Sequence, residues 1–419
     1  MLMFFLNSQF REFTLLSTQA KVSQGRVEAT MSDNVDELLH THADRVTALK
    51  AALGNHLSKD VGCEVDELWL MRFLLSHELN VQEAAAAAEK AIEWRLKNME
   101  LIQCAREKKP AGEFFGTINQ YVCADFHDKR SKDGEPFYIV RAGISNAKAC
   151  MDRVAHEQML AHFMYKREQM FALVDQITRE TRRLVKVISV NDLNHVSLFN
   201  GQDKRFMKVL SAASKQGEDL FPQLMGRSVL INMPQVYYSI FSLMKTFMSK
   251  RTLAKLAVCP AGDDITKCPF IKAKFNIDDV PSFLGGKCKC SRGCVGSIPN
   301  EQSQIIGERG DDGSTTKVVG ARDKHIEVLA VEAEDVVAWE LKVEDKGVDF
   351  SASLKLDNGE ELSIMEVQKI KSTSGVQGTF PVKSKGVITF TFDNSYSLIN
   401  SKTVTYTIRA MNMAEMKDP

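Results

Sequence analysis

From about Asp33 to Ala105 apolar residues recur at helical spacing. Leu68, Met71, Leu74 and Leu75 form one face around Trp69, Arg72 and Phe73, which predicts a bundle of several helices. Asn80 followed by Glu83 makes a capping-box pattern, and the run Ala84 to Ala88 supplies strong helix propensity up to Trp94 and Arg95. The period then changes. An Asp133-Gly134 turn signal precedes a strand at Phe137 to Val140, and a long helical pattern runs from about Arg153 to Arg179. Interior strands follow at Leu184 to Val190 and Ser228 to Asn232, with a helix at Asp203 to Gln216 between them, so this stretch predicts an α/β sheet. Beyond about Ala321 the period falls to two: Ile326 and Val328; Val337, Trp339, Leu341 and Val343; Ile388, Phe390 and Phe392; Val404, Tyr406 and Ile408. Short alternating strands predict an antiparallel β-sandwich, with these residues on its inner faces.

The segment Phe221 to Leu256 joins an interior strand to an oily helix and then to a cationic turn. Pro234 fixes φ for the first helical turn, and Tyr237, Ile240, Phe241, Met244, Phe247 and Met248 fall on one stripe. Such a stripe by itself suits a core helix. Here, however, no acid lies between Pro234 and Pro260, while Lys245, Lys250, Arg251 and Lys255 do. An oily face beside a positive end is what a membrane-touching gate requires. After Gly285-Gly286 the composition turns to Gly, Ser and Asp without a hydrophobic period, which predicts a linker.

At 419 residues the chain exceeds one ordinary core, and two or three domains are expected. Its 54 basic and 54 acidic residues cancel, so no global field draws it to nucleic acid or a bilayer and any electrostatic targeting is local. From Ala321 to Arg409 there are fourteen acids and eleven bases, whereas the gate window is purely basic. Nine cysteines at irregular spacing do not make a disulfide framework and fit a reducing compartment. No run of 18 apolar residues exists, so contact with lipid is expected to be peripheral. Residues 1–32 are expected to be a disordered leader; Arg11, Lys21 and Arg26 among several Ser and Thr leave a targeting peptide as the alternative.

The residues LWLMRFLLSHELNVQEAA, then IEWRLK, VISVNDLNHV, the gate segment ending RTLAKL, and VPSFLGG resemble, in order and spacing, the landmarks of the CRAL-TRIO lipid-binding family. The C-terminal part, from WELKVEDKGVDFSASLKL to FTFDNSYSLINSKTVTYTI, resembles the GOLD (Golgi dynamics) sandwich that follows the lipid domain in supernatant-protein-factor and patellin-type members. The resemblance implies five segments: a leader at 1–32, a helical lobe at 33–110, an α/β lipid-binding lobe at 111–290, a linker at 291–320 and a GOLD-like β-sandwich at 321–413.

It also implies site residues. Thr252 and Lys255 stand where inositol-lipid-binding members contact phosphate, and Ser189 where a hydroxyl meets a choline headgroup. His77 and Glu78 replace a basic pair, and Gln223 replaces a Glu, so the inositol-lipid set is incomplete and a phospholipid, sterol, tocopherol or isoprenoid ligand all remain open. The implied gate is Tyr237, Ile240, Phe241, Met244 and Phe247, with Lys245, Lys250 and Arg251 docking on the membrane.

Cys288, Cys290 and Cys294 invite a zinc reading, but the CxCx3C spacing alone supplies three ligands where zinc takes four, so no metal site is assigned. His156 and His162, six apart, do not share a helix face as a metal pair does; Asp192 and His195 at a strand end lack a nucleophile. There is no G-x-S-x-G, GxxxxGK[ST] or HExxH motif, and no enzymatic function or cofactor is expected beyond the bound lipid. The expected function is binding of one lipid in an internal cavity and its exchange with membranes, in a cytoplasmic protein peripheral on intracellular membranes. The alternative is a trafficking adaptor whose sandwich binds a protein partner while the cavity senses lipid.

Overall fold

The structure, a computed structural model, describes residues 33–194, 196, 203–233, 255–259, 267–290, 294, 314–344, 347–371 and 375–412. The described residues before 295, Val196 apart, gather in one compact unit and those from 314 onward in another. The linker at 291–320 lies mostly outside the described residues, as does the leader.

The first unit begins with helices α1 (Val35–Thr41), α2 (Ala43–Leu53), α3 (Glu67–Ser76), α4 (Val81–Lys97) and α5 (Met99–Glu107). Three of these starts have a side-chain cap. The Asn34 side chain accepts from Glu37 N–H, Asp66 from Trp69 N–H, and Asn80 from both Gln82 and Glu83 N–H, so orphan donors of three first turns are met. Helix α3 is buried from Leu68 to Leu74 without a polar face, because Arg72, fully buried, is paired with Asp175 at 3.4 Å. Helix α4 packs its alanines Ala84, Ala87, Ala88 and Ala91 inward, small residues that let neighbours approach closely.

Helices α6 (Phe114–Tyr121), α7 (Ala147–Met151), α8 (His156–Thr181) and α9 (Lys204–Leu220) surround a five-stranded sheet in the order β1-β2-β3-β4-β5. Its strands are β1 (Ala124–Arg130), β2 (Pro136–Arg141), β3 (Val187–Asp192), β4 (Met225–Ile231) and β5 (Leu256–Val258). Strand β1 runs antiparallel to β2, and the other pairs are parallel. Both faces of the central strands are covered. Phe137, Ile139, Ile188, Val190, Val229 and Ile231 pack with α10 (Pro269–Lys274) and with Val280 and Leu284, while Tyr138 and Val187 join the helical core with Phe171 and Val174. Continuous apolar runs, not alternation, are the sequence mark of such strands.

The second unit is a β-sandwich of two four-stranded antiparallel sheets, ordered β10-β9-β12-β7 and β11-β8-β13-β6. Its strands are β6 (Thr315–Val319), β7 (Lys324–Val331), β8 (Asp335–Val343), β9 (Val348–Leu356), β10 (Glu361–Ile370), β11 (Val376–Pro381), β12 (Gly386–Asp393) and β13 (Lys402–Asn412). Val337, Trp339, Leu341, Val343, Ile388, Phe390, Phe392, Val404 and Tyr406 are buried between the sheets, as their alternation predicts. Ile326 and Val328 are not: they are 54% and 61% exposed on the edge strand β7. The inward positions there belong to His325 and Glu327, which bond the Tyr406 hydroxyl, and to Leu329 and Val331. Two polar side chains with partners thus set the register, and a one-residue shift turned the two apolar ones outward.

Candidate functional site

The turn between α3 and α4 begins where His77 caps α3. Its Nδ1–H donates to the Phe73 carbonyl at 2.9 Å, which leaves Nε2 as an acceptor. Glu78 and Leu79 then take left-handed φ values of +52° and +65°, and Leu79 N–H closes on the Leu74 carbonyl at 2.7 Å. Gln223, just before β4, is also left-handed at φ +56°. Each such non-glycine residue costs roughly 1–2 kcal/mol, and strain of this kind concentrates at ligand sites. The two strained turns are tied together, because Gln223 Nε2 donates to Ser76 Oγ at 3.0 Å.

Between them lies a cleft of about 410 Å³. His77, Glu78, Gln223 and Lys255 all line it, so four of the six residues singled out for lipid contact converge from three separate parts of the chain. Lys255 reaches it by standing immediately before β5, whose Leu256 is in register with Ser228 of β4. Arg167 of α8 lines the same cleft. A Cβ on Gly217 of α9 would stand 2.5 Å from the Arg167 guanidinium carbon, so glycine is what lets this side chain lie across α9. Sequence reasoning did not find Arg167, since one cation in an amphipathic helix carries no local signal; the glycine opposite it was the only trace. Glu83, Glu218 and Asp219 add carboxylates to the rim. A cleft with guanidinium, ammonium and several carboxylates suits a ligand that has both an anionic group and hydroxyl or ammonium donors.

Ser189 lies elsewhere. It is buried in β3, in register with Tyr138 on one side and Ser228 on the other, on the sheet face turned to the helices. Asn191, two residues along that face and 1% exposed, donates to Ser228 Oγ at 3.0 Å, while its Oδ1 has no partner among the described residues. Thr252, the gate residues Tyr237, Ile240, Phe241, Met244 and Phe247, and the docking residues Lys245, Lys250 and Arg251 lie outside the described residues, as does His195. Asp192 is engaged with Arg141 at 3.5 Å and accepts from Asn232 Nδ2 at 2.9 Å. The polar cleft therefore sits at the amino ends of β4 and β5, opposite the carboxyl ends where open α/β sheets usually bind ligands. His162 is buried among aromatic rings on α8, a structural residue.

A mixed sheet buried on both faces, with helices closing one face and a polar cleft beside it, makes up the α/β domain that carries the candidate site. Residues 122–286 match the CRAL/TRIO domain. It is similar to Protein real-time of Anopheles gambiae, 23% identical over 241 residues that cover 57% of this chain and 34% of that one. It is similar to the phosphatidylinositol/phosphatidylcholine transfer protein SFH11 of Arabidopsis thaliana, 24% identical over 236 residues, 55% of this chain and 60% of the relative. Patellin-6 of Arabidopsis thaliana is 23% identical over 380 residues, covering 87% and 86%. The chain thus spans about a third of the mosquito relative and most of the patellin. No helix among the described residues is long and apolar enough to cross a membrane.

Proposed function

We propose that this protein binds one phospholipid, with the headgroup in the cleft lined by His77, Glu78, Gln223, Lys255 and Arg167, and exchanges it with membranes. The observation that carries the reading is that convergence of separately predicted residues on one polar cleft. Two cations there suit a phosphate, and the carboxylates suit inositol hydroxyls or a choline-type ammonium, whereas a sterol or tocopherol offers one hydroxyl and no charge to meet them. Arg167 supplies a positive charge that His77 and Glu78 do not. The name of the Arabidopsis phosphatidylinositol/phosphatidylcholine transfer protein is consistent with this ligand class.

A diacyl lipid with about thirty tail methylenes gains on the order of 25 kcal/mol on burial, at roughly 0.8 kcal/mol per CH2, so it cannot leave through water. Exchange then needs a gate that opens onto a bilayer, the role assigned to Tyr237, Ile240, Phe241, Met244 and Phe247 with Lys245, Lys250 and Arg251 beside them. The protein acts without catalysis, in the cytoplasm and peripherally on membranes.

Denaturing extraction and mass spectrometry of the full chain from a eukaryotic host tests the ligand. A stoichiometric phospholipid is expected, lost or reduced about tenfold in Lys255→Ala and Arg167→Ala variants, in line with roughly 1.5–3 kcal/mol for a hydrogen bond to a charged group. A stoichiometric sterol or isoprenoid indifferent to both substitutions would overturn the headgroup assignment.

The sandwich, similar to a GOLD domain, takes a second role as a docking module for a protein partner. Ile326 and Val328 on the free edge of β7, with Val318 69% exposed on β6, favour this reading. Truncation after Glu308 separates the two roles: vesicle-to-vesicle transfer should survive and cellular localisation should be lost.

A further inference from the structure

The strand β1 is an exposed, polar edge strand with a single buried residue, and that residue is His127. Its ring stands edge-on to Phe137 with centroids 5.6 Å apart, and its Nε2 lies 2.8 Å from the Asp279 carbonyl. Donation of Nε2–H to that carbonyl fixes the tautomer and leaves the Nδ1 lone pair facing the other way. There it meets sulfur. Cys290 Sγ is 4.0 Å from Nδ1, 3.3 Å from Cys288 Sγ and 3.7 Å from Cys294 Sγ. All four donor atoms lie within 4.8 Å of one another.

Three cysteines at 288, 290 and 294 fall one ligand short of a closed zinc site; the fold brings the fourth from 163 residues before Cys290. We propose that His127, Cys288, Cys290 and Cys294 form a structural zinc site of the Cys3His type. A tetrahedral zinc with Zn–S near 2.3 Å and Zn–N near 2.0 Å sets its donors about 3.5–3.8 Å apart; the separations from Cys290 Sγ, 3.3, 3.7 and 4.0 Å, bracket that spacing, and shifts of about an ångström would bring all four donors to it. The imidazole carries the backbone-carbonyl partner that metal-bound histidines use to orient their free nitrogen. Soft thiolates with one imidazole select zinc over the hard cations. Three thiolates and Zn²⁺ sum to one negative charge, and Lys129, two residues along β1, places a positive charge near Cys288.

The backbone is prepared for this clasp. Gly285 is left-handed at φ +86°, and a Cβ on Gly286 would stand 2.0 Å from the Val280 carbonyl oxygen. Only glycine allows the chain to turn back so that Cys288 N–H bonds Val280 O at 2.9 Å. Three of the ligands lie beyond Gly286, where the CRAL/TRIO match ends, so the metal would pin the departing chain back onto the first strand of the sheet.

The test is elemental analysis of the full chain purified without chelator, together with cobalt substitution. One zinc per chain is expected, released on titration of the thiols with a mercurial. The cobalt form should show thiolate charge-transfer absorption and the intense visible bands of tetrahedral coordination. Cys290→Ser should lower zinc content to a small fraction, whereas His127→Cys, which restores four ligands, should retain it. Because Cys290 is half-buried, its serine variant is expected to keep the parent's circular dichroism. Zinc content unchanged in Cys290→Ser, iron or copper at the site, or a denatured thiol count two short of the nine cysteines, which signals a disulfide, would each overturn the assignment.

Discussion

His162 sits on α8 with 4% of its surface exposed, its ring 5.0 Å from Phe115 and 6.3 Å from Phe163. Burial, with a smaller contribution from the Lys166 charge, pushes its pKa down to about 3. The unfolded imidazole takes up a proton near pH 6.5, and the folded one does not until far lower pH. Its contribution is therefore full above pH 6.5 and is lost as pH falls from there toward 3. At pH 5 the loss is about 2 kcal/mol, at 1.36 kcal/mol per unit below 6.5. His162→Leu removes the titration without removing the bulk. Urea unfolding at pH 7 and pH 5 should show the parent losing more stability than the variant by about that amount. Equal losses would mean that this imidazole is not what senses acid.

The long helix α8 is held to its neighbours by a charge cluster. Glu168, fully buried, accepts two bonds from Arg95 of α4 at 2.8 and 2.9 Å and one from Arg106 of α5 at 2.8 Å. Arg95 also donates through Nε to the Val61 carbonyl at 2.8 Å, so three helices and a loop meet at one carboxylate. Glu168→Gln would leave two guanidiniums facing a neutral amide, one of them 2% exposed. A loss of about 3–5 kcal/mol is expected, the usual cost of breaking a buried pair from one side. Urea denaturation that follows the fluorescence of Trp69 and Trp94 measures it, and a midpoint within error of the parent would contradict the role. Nothing near Arg95 in the sequence announces this pairing, because its partner is 73 residues away. The same limit hid His127, on a strand whose DFHDKR run lacks the apolar period of the interior strands. Strands β2, β3 and β4 were legible because burial on both faces writes itself as an apolar run, and the inner face of the sandwich because burial on one face writes itself as alternation. The edge strand β7 misled for the opposite reason: Ile326 and Val328 alternate correctly but outward, and His325 with Glu327 faces in. Four of the predicted contact residues reached one cleft because positions in a known pattern carry spatial information that periodicity lacks. Arg167 belonged to no such pattern.

At the scale of the whole molecule, balanced net charge leaves approach to a membrane to local fields. The acid-free window from Pro234 to Pro260 holds four cations, each worth about 1 kcal/mol near an anionic leaflet and much less beyond a Debye length. Removing the charges of Lys250 and Arg251 thus forfeits about 2 kcal/mol of docking, and reversing them adds repulsion. Lys250→Glu with Arg251→Glu should slow lipid transfer from anionic vesicles by about tenfold or more while leaving transfer from zwitterionic vesicles near the parent rate. Lipid content of the purified variant should be unchanged, because the headgroup role is assigned to Lys255 and Arg167 and the docking role to this pair. Raising the salt concentration should shrink the difference between variant and parent, since screening acts on the same attraction. Equal rates on anionic vesicles at low salt would mean that the oily stripe alone brings the protein to the bilayer, and the cationic turn would then need another role.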